Sequence, residues 1–452
     1  MHPWIGAGPE DRQHILSVLG LSSIDDLFAS IPSAVGVDGL DLPPPRDEGW
    51  LRRAFDEMAS ANVAMDSLPC FLGAGVYRHI RPSVVDAVLS RAEFFTSYTP
   101  YQPEISQGTL QAIFEFQTLI SRLTGLDAAN ASLYDGATSL VEAVLFSHRI
   151  LRGKRDLVVV AETVHPMYRA VLDTYAHAAE VEVAVVAPGE DGRLDPNVVS
   201  EAASDRACCV AVQSPNFLGI VEDLPSLAEA AHEGGALAVE VVTEAASLGL
   251  LKGGGSFGFD VVCGEAQSFG IAPGFGGPHL GFFACASKHI RQMPGRLAGE
   301  TVDEGGNRAF CLTLSTREQH IRRAKATSNI CTNQGLMALA ATVWLEVVGG
   351  SGLRDLATAN LAGAEELKRR VRAIGGSWEI AYPTSPTFNE FLLTGPGTGR
   401  EIVEKMSAEG VLAGVPTTGW TGSWPDGILV AVTERNSAAD IEAFAKALEI
   451  LR

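Results

Sequence analysis

The stretch DLVVVAETVHPMYRAVLDTYAHAAEVEVAVV, Asp156 to Val186, decides the fold. DLVVVA (156–161) is an apolar run of strand length, PMYRAVLDTYAHAA (166–179) has helical periodicity, and VEVAVV (181–186) is a second strand. Strands that are apolar throughout, not alternating, belong to a sheet covered on both faces. The pattern continues outward with ACCVAVQ (207–213), the helical SLAEAAHEG (226–234) and ALAVEVV (236–242). Such alternation predicts an α/β fold built on a mostly parallel sheet. From about Gly349 onward, the helical NLAGAEELKRRVRAIG and GREIVEKMSAEG accompany strand-like FNEFLLTG and GILVAVT, a smaller C-terminal α+β domain. Before about residue 60 the chain is polar, with helical EDRQHILSVLG and EGWLRRAFDEMAS separated by DLPPPRDEG, whose prolines exclude helix. The expected division is an N-terminal arm (1–60), a large α/β domain (61–330) and a small domain (331–452).

A chain of 452 residues can bury a large core. Its formal charge of −20 argues against nucleic acid as a partner, because phosphate contacts need clustered Lys and Arg. The seven cysteines form no CxxC pair, and several lie in apolar runs where Cys behaves as a small core residue. No signal peptide or membrane-length apolar run is evident, so the expectation is a reduced, soluble, cytoplasmic protein.

Three positions along the predicted sheet could carry chemistry. LYDGATSLVEAVLFSHRI (133–150) places Thr138 and Ser139 at the start of a helix, where unpaired N–H groups suit a phosphate. Either hydroxyl could equally be a plain N-cap. His165 and Glu244 each follow a strand, at the edge where open α/β sheets bind ligands. His165 could be purely structural. Glu244 could hold a protonated ring nitrogen or cap the next turn. The segment FTSYTPYQPEISQG (95–108) is a stiff polar-aromatic loop, and Tyr98, Tyr101, Gln102 and Glu104 mark it as a pocket or interface candidate. LSTREQHIRRAKATSNICTNQG (314–335) reads as a basic helix with a solvated face, then a polar interior turn.

Together, YTPYQPEISQG, TGLDAANASLYDGATSLVEA, GEAQSFGIAPGFGGPHLGFFA and TREQHIRRAKATSNICTNQ resemble the P-proteins of the glycine cleavage system. More narrowly, the chain is similar to the subunit 1 type found where the P-protein is split into two chains. The resemblance implies a pyridoxal-phosphate-dependent type I fold and glycine decarboxylation with aminomethyl transfer to the lipoyl group of the H-protein. It also implies an α2β2 heterotetramer with subunit 2. In that pattern the cofactor lysine lies in subunit 2, ahead of a glycine-rich loop, and the corresponding residue here is Gln267. An amide cannot form a Schiff base. The resemblance thus implies no catalytic residue in this chain and pyridoxal phosphate bound by the partner. Thr138, Ser139, His165, Glu244 and Gln267 would be remnants of a cofactor pocket. Two alternatives stay open: a self-sufficient enzyme using Lys252 or Lys288, or a regulatory scaffold. Lys154, Lys368, Lys405 and Lys446 read as solvated.

Overall fold

The computed structural model describes residues 6–36 and 39–452. They form two compact units, Met1–Val63 and Ala64–Arg452. The first holds the helices Pro9–Leu19 and Glu48–Ser60, the latter capped by the Asp47 carboxylate accepting from Trp50 N–H.

The second unit is organised around a seven-stranded sheet. Its strands are β1 (Ala128–Ala129), β2 (Leu157–Ala161), β3 (Glu182–Val186), β4 (Ala207–Gln213), β5 (Leu237–Val242), β6 (Val261–Glu265) and β7 (Gly281–Cys285). Their spatial order is β1-β7-β6-β5-β4-β2-β3. The five strands β2 to β6 run parallel, and β7 lies antiparallel beside β6. β2, β4, β5 and β6 are buried along their whole length, as uninterrupted apolar strands require when helices cover both faces. The helix Pro166–Ala178 supplies the crossover between β2 and β3.

A hairpin of β8 (Leu297–Val302) and β9 (Arg308–Thr313) follows. A four-stranded antiparallel sheet is then built from β10 (Glu379–Ile380), β11 (Glu390–Thr394), β12 (Val415–Pro416) and β13 (Ile428–Ala431). It has its own core, with Phe71, Trp378, Phe391, Met406 and Phe444. The long helix Gly335–Ile374 leads from one core to the other and is broken at Gly349, whose φ of 66° is outside the helical region. By length and composition this helix could span a membrane, contrary to the sequence expectation of no such run. Its Ala341, Trp344, Leu345 and Leu353 are packed into the main core.

The basic segment departs from expectation. Residues 315–325 make three short turns, Ser315–Arg317, Gln319–Arg322 and Arg323–Lys325, not one helix. Leu314 and Arg323 both have positive φ, which breaks helical continuity, and Arg317 turns inward to donate to the carbonyls of Met293 and Gly295.

Candidate functional site

After β2 the chain goes outward to β3 and returns to β4 on the other side of β2, so the carboxyl edge between β2 and β4 is the switch point where such sheets bind ligands. His165 sits there. Its backbone N–H donates to Gln213 Oε1 at 2.8 Å. The ring donates from Nε2 to the Ala74 carbonyl at 2.9 Å and accepts at Nδ1 from Met167 N–H at 3.2 Å. It packs against Tyr168, Phe217 and Trp420 with centroids 5.0–5.5 Å away. Burial holds its pKa down at about 4, so the ring is neutral.

The partner of His165 belongs to a segment, Cys70–Ile80, that runs along this edge and across to the small sheet. Space for its backbone depends on two glycines. A Cβ at Gly73 would lie 2.4 Å from Glu390 Oε1, and one at Gly75 (φ 93°) 3.2 Å from the His165 ring. Gln267, just after β6, holds the segment through its side-chain amide. Gln267 Oε1 accepts from Tyr77 N–H at 2.9 Å, and Nε2 donates to the carbonyls of Tyr77 (3.0 Å) and Ile271 (2.5 Å). Glu390 accepts from Ala74 N–H and from the Tyr77 hydroxyl, at 2.7 and 2.9 Å. Burial raises its pKa to about 7.

Glu244 combines both roles left open for it. Oε1 caps the turn Ala245–Gly249 by accepting from Ala246 N–H at 2.9 Å. Oε2 accepts from a ring nitrogen at 3.1 Å, and that ring is the chain's own His79. The other nitrogen of His79 faces Glu434 Oε2 at 2.9 Å. The imidazole side chain is 3% exposed. Burial pulls its pKa down, but the carboxylates of Glu244 and Glu434 outweigh this and take it to about 10. The ring is therefore an imidazolium donating from both nitrogens.

The helix Gly136–Ile150 starts as the sequence suggested, but its N-cap is Asp135, one of the two reciprocal partners in a capping box with Thr138. Thr138 N–H donates to Asp135 Oδ1 at 2.8 Å, and the Ser139 hydroxyl donates to the Asp135 carbonyl at 2.7 Å. The N–H of Gly136 donates to Glu265 Oε2 at 3.1 Å. Glu265 Oε1 accepts from Gln267 N–H (3.0 Å) and Leu280 N–H (2.7 Å). A Cβ at Gly136 would stand 2.2 Å from the Tyr168 hydroxyl, so that side chain lies directly over the helix start. Pyridoxal phosphate does not fit these residues: they offer it no amine, and the anion position already holds a carboxylate.

The lysines lie elsewhere. Lys252 is exposed, and Lys288 pairs with Asp260 at 3.2 Å on the surface. Lys368, contrary to expectation, is buried and donates to Thr387 Oγ1 at 2.7 Å. Its neighbour Glu365 pairs with the same ammonium.

Tyr98, Tyr101, Gln102 and Glu104 all lie on one exposed loop, but the structure does not gather them around one point. Tyr98, 84% exposed, borders a cavity of about 240 Å³ together with Phe95, Pro100, Thr332 and Asn333. Tyr101 instead turns to Arg296, whose Nη2 donates to its hydroxyl at 3.2 Å. Arg296 is buried and also donates to the Cys331 carbonyl (2.7 Å) and Asn333 Oδ1 (3.1 Å), which ties the loop to the polar turn 327–334. Sequence reasoning missed Arg296, His79, Tyr168, Glu265, Glu390 and Glu434. The available signals were a lone Arg in PGRLAG and a carboxylate closing the apolar strand VVCGE.

Residues 2–448 match the sequence model of the family described as glycine cleavage system P-protein. The chain belongs to that family. It is 48% identical over 444 residues to a probable glycine dehydrogenase (decarboxylating) subunit 1 of Xanthobacter autotrophicus, covering 98% of both chains. A crystal structure of a glycine decarboxylase (P-protein) in inhibitor-bound form superimposes with a TM-score of 0.91 at 42% identity, covering 99% of this chain and 100% of that one. The sphingosine-1-phosphate lyase of Burkholderia pseudomallei shares the fold alone, with a TM-score of 0.66 at 17% identity over 92% of this chain and 93% of that one. This P-protein family chain has the type I fold of pyridoxal-phosphate-dependent enzymes.

Proposed function

We propose that this chain is the cofactor-free half of a two-chain glycine dehydrogenase (decarboxylating). Subunit 2, the partner, holds pyridoxal phosphate on its lysine, and the two form an α2β2 heterotetramer in the cytoplasm. When bound there, the cofactor draws electrons from the bond between the glycine α-carbon and its carboxylate. The aminomethyl group that remains passes to the lipoyl group of the H-protein. This chain contributes shape: its rigid sheet edge and the loop Tyr98–Glu104 complete the partner's surroundings, and no residue of its own bonds to the cofactor.

The observation that carries this reading is Gln267. Its amide stands at the end of β6 and is fully engaged with the backbone of Tyr77 and Ile271. The exposed positions of Lys252 and Lys288 weigh against a self-sufficient enzyme. The cysteines, all free and five of them buried, support a reducing compartment.

The test is borohydride reduction of the co-expressed two-chain complex followed by peptide mapping of each chain. The phosphopyridoxyl group is expected on a lysine of subunit 2 alone. A stoichiometric adduct on any lysine of this chain would overturn the proposal. So would glycine–bicarbonate exchange at the full rate by either chain without the other.

A further inference from the structure

Loss of the lysine does not by itself close a cofactor site, and other features of this crevice go further. We propose that the crevice is plugged by stand-ins from the chain itself, with Glu265 in the anion position and His79 in the ring position against Glu244. The inference rests on the reading above and deepens it: the missing amine is one obstacle of three, and restoring it alone does not readmit pyridoxal phosphate.

The anion position is the start of the helix Gly136–Ile150, where a dipole end and free N–H groups favour negative charge. Here the charge is supplied from within, since Gly136 N–H donates to the buried Glu265 carboxylate. The same carboxylate anchors the turn after β6 through Gln267 N–H and the start of β7 through Leu280 N–H. A phosphate entering here would meet a like charge and, to displace it, would leave those donors buried and unpaired. The Tyr168 hydroxyl also lies over Gly136, 2.2 Å from where a Cβ at that position would stand.

The ring position is set by Glu244, at the end of β5 and one strand away from Gln267. A carboxylate in that place pairs with a protonated ring nitrogen, and His79 provides one at 3.1 Å. The groups facing His79 are Glu244 and Glu434 directly and the ring of Tyr77 at 6.5 Å, with Glu390 bonded to the Tyr77 hydroxyl. The segment Cys70–Ile80 that carries His79 is stitched to His165 and Gln267, just past strands β2 and β6, to Glu390 in β11 and to Glu434, just past β13. A former ligand cleft thereby becomes a joint between two cores.

Pyridoxine 5′-phosphate tests this, because it has the ring and the phosphate but needs no lysine. It is titrated calorimetrically into the two-chain complex after borohydride has blocked the partner's sites. No saturable binding to wild type is expected up to about 1 mM. Uptake of one equivalent per copy of this chain at micromolar concentration would overturn the inference. In parallel, the complex carrying Gln267→Lys is saturated with pyridoxal phosphate, reduced and mapped. No phosphopyridoxyl group is expected on the introduced amine, and a stoichiometric one refutes the plug while leaving the proposed function intact. An adduct on a surface lysine of the wild-type chain would do the reverse. Should the variant fail to fold, the wild-type titration decides alone.

Discussion

Replacing His79 by Gln should be among the most damaging single substitutions in this chain, and the damage should fade at high pH. The ring is buried between two carboxylates, and its pKa stands at about 10 against an ordinary 6.5. A displacement of that size corresponds to about 5 kcal/mol of preference for the charged form in the folded chain. Removing one member of a buried ion pair costs about 3–5 kcal/mol. A glutamine can still donate to one of the two carboxylates, which offsets part of this cost. We therefore expect a loss of about 3 kcal/mol at pH 7. Because the folded pKa is above the unfolded one, the stabilisation is complete below about pH 6.5 and is lost as pH rises through about 10. The assay is the melting temperature of the two-chain complex, wild type against His79→Gln, at pH 7 and at pH 10.5. The difference should be several degrees at pH 7 and should shrink at pH 10.5. A double-mutant cycle with Glu244→Gln should give a coupling of at least about 1 kcal/mol. An equal difference at both pH values, or additive substitutions, would mean that His79 is a neutral space-filler.

Tyr101→Phe and Glu104→Gln keep the shape of the exposed loop while changing its hydrogen bonding. If the loop completes the partner's site, assembly should survive while glycine–bicarbonate exchange falls about tenfold, or 1.4 kcal/mol in the barrier; normal exchange in both variants refutes that role. Arg296→Lys should not substitute for the planar donor set that reaches Tyr101, Cys331 and Asn333. Faster hydrogen exchange at residues 95–105 and 327–334 would show it, and wild-type protection there would count against the hub. Expressed alone, the chain should aggregate or self-pair, and subunit 2 should restore a defined complex, because obligate interfaces commonly bury more than about 2,000 Å². A monodisperse monomer that ignores subunit 2 contradicts this.

The sheet was legible because its signals are local. ACCVAVQ is β4 to the residue, and EGWLRRAFDEMAS coincides with the helix Glu48–Ser60. Burial on both faces writes itself into a strand as uninterrupted apolarity, and no distant residue is needed to read it. The basic segment misled for the opposite reason. Its periodicity suits a helix, but the conformation is decided by carbonyls at Met293 and Gly295 that recruit Arg317 from more than twenty residues away. Lys368 misled similarly, since the helix face it occupies is covered by Thr387 and the ring of Phe391.

The crevice divides along the same line. Gln267 could be singled out because the resemblance sets it against the cofactor lysine, just past a strand and before a glycine-rich loop. His79 could not, because nothing within YRHIRP announces a buried cation. Its partners are 165 and 355 residues away, and the imidazolium exists only once Glu244 and Glu434 converge on it. On the proposed reading, a glutamine in place of a lysine removes covalent chemistry from this chain. Whether the vacated space stays open depends on charges that only the folded chain brings together. Here those charges complement each other without a ligand: a carboxylate on a helix start, and an imidazolium between two carboxylates. A crevice balanced in that way gains nothing electrostatically from admitting an anion.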